Sequence, residues 1–142
     1  MLTDRTVDTE EFTPETLRDR YERELTGIVE GVGVEAAAAE TGIEERRLEA
    51  LVEGESPDLT TDDAAAILAL SEAEPTAEIA EAEMQDRLLM GMTTAVLDVD
   101  TLAANLDLDL DGKEVQQKVE GRAPMSLAEY AHLRHTIEDR KR

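Results

Sequence analysis

Apolar residues recur along the chain at helical spacing. Leu17, Tyr21, Leu25, Ile28 and Val29 fall on one face of a helix that starts at Thr13-Pro14 and runs to about Glu30. Thr before Pro is a capping residue followed by a proline at the first helical position. Gly31 and Gly33 are expected to end this helix. Val34–Thr41 reads as a short Ala-rich helix closed by Gly42, a position that calls for left-handed backbone. Glu44–Glu53 reads as a third helix closed by Gly54, and Thr60 or Thr61 caps a fourth that runs to about Ser71. The second half gives the same order, with helices at about 77–97, 100–106, 111–120 and 126–139. Leu106, Leu108 and Leu110 alternate with Asp, but the stretch is too short and acidic for a central strand. The predicted class is all-α.

The two halves also match residue by residue. With a shift of 67, residues 15–57 overlay residues 82–124 without a gap, and eleven of the 43 pairs are identical. A composition this biased gives about three or four by chance. The identities include Asp19/Asp86, Arg20/Arg87, Ala36/Ala103 and the Val52-Glu53-Gly54/Val119-Glu120-Gly121 run with Pro57/Pro124. Beyond the proline the second copy is one residue shorter, so that Ala64 to Ile67 overlay Tyr130 to Leu133. A tandem duplication accounts for this. The expected organisation is a flexible N-terminus over 1–12, a first repeat over 13–71, a linker over 72–76, and a second repeat over 77–142. That repeat ends in the basic tail Arg140-Lys141-Arg142.

Residues 34–70 resemble the helix-turn-helix of the lambda-repressor/Cro-like superfamily. Ala37-Ala38 stand where that family has its Leu-Ala pair, Thr41-Gly42-Ile43 match its turn, and Leu48 matches the buried residue of its recognition helix. Gly54 and Pro57 fit the segment after that helix. The second copy, about 101–137, is degraded, with Asp109 in place of Gly42. Asp tolerates the left-handed conformation better than most residues. The resemblance implies two helix-turn-helix-like four-helix units, packed as a pseudo-dimer because each is small for a core of its own. The whole chain also resembles an uncharacterised family of small acidic haloarchaeal proteins, which implies no activity.

Charge changes this picture. The chain holds 35 acidic and 14 basic residues, a net −21, which opposes binding another polyanion. Its eleven Arg, three Lys and 41% apolar content fit a folded protein adapted to molar salt better than a disordered acidic tail. The charge is uneven: residues 1–112 carry net −23 and residues 113–142 net +2. On a helix-turn-helix reading, the surface of the second recognition helix presents Lys113, Gln116, Gln117, Lys118 and Arg122, which suit phosphate and base-edge contacts. The first presents Arg46 and Arg47 behind Glu44 and Glu45, two acids that repel DNA. The expected function is therefore non-enzymatic: a DNA-binding transcription regulator of a halophile acting through the second repeat. The alternative is a helical adaptor that has lost DNA binding and contacts protein.

Other chemistry is sparse. Zero Cys removes disulfides, thiol catalysis and Cys-ligated metals. Asp107, Asp109, Asp111 and Gly112 match the opening of a calcium loop, but Lys118 stands where its bidentate Glu belongs. His132 and His135 lack further ligands at zinc spacing. No catalytic or cofactor pattern appears, and no cofactor is expected. With no membrane-spanning run and no leader, the expected location is cytoplasmic, as a monomeric pseudo-dimer or a homodimer.

Overall fold

Thr13 opens the first helix by a reciprocal cap. Its hydroxyl accepts from the Thr16 amide at 3.1 Å, and its own amide donates to the Thr16 hydroxyl at 2.8 Å. The computed structural model describes residues 2–4, 6–71 and 76–141. Among these residues every regular element is an α-helix. The order is α1 (Pro14–Val32), α2 (Val34–Thr41), α3 (Glu45–Val52), α4 (Thr61–Leu68), α5 (Ala77–Ala95), α6 (Val99–Asn105), α7 (Gly112–Val119) and α8 (Leu127–Arg140).

Helix ends follow local chemistry. Gly31 lies inside α1, and Gly33 alone makes the break. Its φ of 99° lets one residue close α1 and open α2. Gly42 takes the left-handed conformation at the end of α2, with φ of 77°. The turn after α6 is built differently. Leu106 closes it in extended backbone, and Asp109 is not among the residues with positive φ. Asp109 thus does not take the expected left-handed conformation: α6 ends earlier, where Leu106 enters extended backbone, and no left-handed residue is needed there.

Helices α1, α4, α5 and α8 form the centre. α1 packs on α8 and α4, and α5 packs on α4 and α8. α2 and α3 lie against α1, while α7 lies against α5 and α6 against α8. Leu17, Tyr21 and Leu25 on α1 are buried, as are Met84, Leu88 and Met92 at the 67-residue spacing. Ala64, Ala65, Ile67 and Leu68 on α4 are buried, as are Tyr130, Ala131, Leu133 and Arg134 on α8. Tyr21 and Tyr130 meet in the middle with ring centroids 5.8 Å apart.

α5 keeps that register but begins and ends about a turn early relative to α1. Val29 is buried in α1, whereas Val96 lies just beyond α5, 89% exposed and left-handed with φ of 55°. A β-branched residue there is strained.

The segments before α4 and α8 pair with each other. Thr60 and Ser126 form an antiparallel bridge, with Thr61 N–H donating to Met125 C=O at 2.9 Å and Leu127 N–H to Leu59 C=O at 2.7 Å. Both bridge residues are also N-caps, in capping boxes with Asp63 and Glu129.

Residues 2–4 of the N-terminal segment 1–12 lie against the helical body. Leu2 is fully buried, and the carbonyls of Leu2, Thr3 and Asp4 accept hydrogen bonds from side chains of α5 and α8. Residues 72–75 of the expected linker lie outside the described residues.

Candidate nucleic-acid interface

The third helix of each half was the expected reading surface, and its cations are placed unequally. In α3, Leu48 and Leu51 face the core and Arg46 faces solvent. The Arg46 guanidinium is 3.3 Å from Glu44. Arg47 turns the other way. Its Nη2 donates to the Asp58 carbonyl and lies 3.0 Å from the Asp63 carboxylate, the same carboxylate that completes the capping box of α4.

α7 repeats this division. Its start is fixed by Asp111, whose side chain accepts from the Glu114 amide at 2.8 Å. Lys113 is exposed and has no ion pair among the described residues. Gln116 donates to Glu120 at 3.1 Å, and Arg122 lies 2.7 Å from Glu120. Gln117 is half-buried. Lys118 points inward: its Nζ donates to the Pro124 carbonyl and to Glu129 Oε1, each at 2.8 Å.

Arg47 and Lys118 therefore do one job. Each ties a loop carbonyl and a capping-box carboxylate to its third helix. They are not equivalent residues in the repeat, since Arg47 aligns with Glu114 and Lys118 with Leu51. Sequence placed both on the surface because periodicity does not show which way a long side chain reaches. Of the seven candidate residues, two are braces, and Arg46, Arg122 and Gln116 are held by local glutamates. Lys113 and Gln117 complete the set.

Asp111 is spent on the cap of α7. No group of three or more His, Asp or Glu suited to a metal ion occurs among the described residues, so Asp107, Asp109 and Asp111 do not assemble one. His135 Nε2 is 2.7 Å from the Phe12 carbonyl, and His132 lies 3.9 Å from Glu15. Asp98 caps α6, and the hydrogen bond from the Thr101 amide holds its carboxyl below the ordinary range.

Two further surfaces stand out. A cleft of about 220 Å³ lies between the halves, lined by Asp62, Glu81, Met84, Lys118, Arg122 and Tyr130 among others. The Glu81 carboxyl is pushed up to about 7, first by a side-chain hydrogen bond with Asp62, then by partial burial and by the charges of Asp62 and Glu78. The outer face of α5 exposes Ile79 and Met90, with Glu83 and Asp86 between them along the helix, and Leu89 is exposed next to Met90. None of the described helices is long and apolar enough to cross a membrane.

A cluster that sequence did not single out surrounds Leu2. Arg134 is buried on α8, 5.9 Å over the Tyr130 ring and 3.7 Å from Glu138. The only sequence signal for it is that Arg134 stands where the first repeat has Leu68.

No curated protein and no solved structure matches this chain. A family model does match, over residues 17–140, and it spans both halves from α1 to the end of α8. The chain belongs to that family, described as a family of unknown function, DUF5791.

Proposed function

We propose that the chain is a tandem duplication of two helix-turn-helix-like units, 13–71 and 77–142, joined by the linker 72–76 and closed on each other as a pseudo-dimer. It acts as a non-enzymatic regulatory protein whose contact is with protein. Support for the duplication comes from the shared burial register of α1 and α5, and from the reciprocal pairing of Thr60 and Ser126.

The observation that carries the functional reading is the outer face of α5. Ile79 and Met90 are 50% and 58% exposed, and Leu89 is exposed next to Met90. Glu83 and Asp86 stand between Ile79 and Met90 on this face, and Glu78 borders it. That combination fits a partner helix with an apolar stripe edged by Lys and Arg, by charge complementarity. A second reading, DNA contact through α7, is favoured by the exposed Lys113, which has no ion pair among the described residues, beside Gln116 and Gln117. The braced Arg47 and Lys118 weigh against it.

The net charge of −21 fits a habitat with molar salt, such as the cytoplasm of an extreme halophile, where a Debye length of about 3 Å screens self-repulsion. Thermal stability is then expected to rise towards molar KCl; a protein most stable in dilute buffer contradicts the adaptation.

Photo-crosslinking in the cells that make the protein tests the partner. A crosslinker at position 90 is expected to trap one defined protein, and Ile79→Glu is expected to abolish the product. Crosslinks formed only from position 117, and only to DNA, would favour the second reading.

A further inference from the structure

The N-terminal residues are held as a bound peptide is held. Leu2 is fully buried, and its amide donates to Glu24 on α1 at 3.2 Å. Three successive carbonyls are each taken by a side chain of the helical body. The Tyr130 hydroxyl donates to Leu2 C=O at 2.9 Å, and Arg134 Nη1 reaches the same oxygen at 3.2 Å. Arg87 Nε donates to Thr3 C=O at 2.8 Å, and Arg134 Nη2 to Asp4 C=O at 2.6 Å. Apart from the Leu2 side chain, every one of these contacts reads backbone.

The receiving groups are costly without an occupant. Arg134 is 1% exposed with the arm in place, and loss of the arm removes two of its carbonyl acceptors, those of Leu2 and Asp4. Burial pushes the Tyr130 hydroxyl up despite the opposing charge of Arg134, so the phenol stays a donor at neutral pH. Donor capacity also remains: the Tyr21 hydroxyl and Arg134 Nε are buried with no partner among the described residues.

We propose that the Leu2 pocket is a peptide-binding site, filled in cis by the chain's own N-terminus. Its ligand class is a short segment in a turn, with one large aliphatic side chain followed by backbone carbonyls free to accept. The covalent tether keeps the site filled, because a short linker gives an effective concentration in the millimolar range. A segment in trans gains the site when the arm is displaced. This site shares no residue with the outer face of α5 and stands independently of the reading given there.

The test uses the full chain carrying Leu2→Asp, which evicts the arm by placing a charge in an apolar pocket. The probe is a fluorescent peptide with the sequence of residues 1–8, read by anisotropy and by the melting temperature of the protein. The variant is expected to bind the peptide saturably and to melt higher in its presence. The natural chain, its site occupied, is expected to bind roughly tenfold more weakly or worse. Adding Tyr130→Phe to the variant removes one donor to the Leu2 carbonyl and is expected to weaken binding severalfold. A folded Leu2→Asp chain that takes up no peptide overturns the proposal. If the variant is unfolded, restoration of helical structure by the peptide supports it, and failure to restore overturns it.

Discussion

Thr60 and Ser126 face each other across an antiparallel bridge, and each caps the helix that follows it. One short pairing therefore sets the start of both α4 and α8 and joins the two halves of the chain. Thr61→Pro isolates its contribution. Thr61 is the first residue of α4, where proline suits the helix and the extended backbone of Thr60 suits a following proline. The change removes the amide that donates to Met125, and Thr61→Ala is the control for the lost side chain. A loss of about 1 kcal/mol is expected, or roughly 3 °C in Tm. A higher Tm, the usual effect of proline at a free helix start, would show that the cross-half hydrogen bond adds nothing.

Glu81 and Asp62 make stability depend on pH. Glu81 has an ordinary value of 4.5 and is raised to about 7 in the folded chain. Between those values the folded state keeps a proton that the unfolded state has lost, so stability falls as pH rises through this window. Glu81→Gln keeps a neutral group beside Asp62 at every pH. The variant is expected to melt higher than the natural chain at pH 8 and to show no such gain at pH 4. Molar KCl is expected to shrink the gain, because the pair is open to solvent. Equal effects of the substitution at both pH values contradict the shared proton.

Val96 pays a backbone cost that serves no visible contact. Its side chain is in solvent and its φ is 55°. Glycine adopts this conformation without the clash between Cβ and carbonyl, which for other residues costs about 1–2 kcal/mol. Part of that gain is returned as the greater freedom of glycine in the unfolded chain. Val96→Gly is expected to raise Tm by a few degrees in a thermal melt followed by circular dichroism. A lower Tm would mean that the Val96 side chain has a packing role.

The helices were legible because their ends are local. Thr13-Pro14, Gly42 and Gly54 act through their own backbone and nearest neighbours, and the expected boundaries fall within a few residues of those observed. What packs on what was not legible. An apolar stripe states that a face is buried but not against which partner, so the packing of α1 on α8 and of α4 on α5 could not be read from periodicity. Leu2 was missed because a single apolar residue has no period. The direction of Arg47 and Lys118 was missed because long cationic side chains reach either way from a half-exposed position.

Lys118 is where the two accounts of the third helices part most sharply. As a brace, it holds the loop carbonyl of Pro124 and the capping carboxylate of Glu129, and its side chain is 17% exposed. As a DNA contact, it would reach outward and leave the fold unaffected when lost. The thermal melt of Lys118→Met decides between them. The brace predicts a loss of about 1–3 kcal/mol, seen as a fall in Tm of several degrees. An unchanged Tm, with weakened binding to duplex DNA, would contradict it.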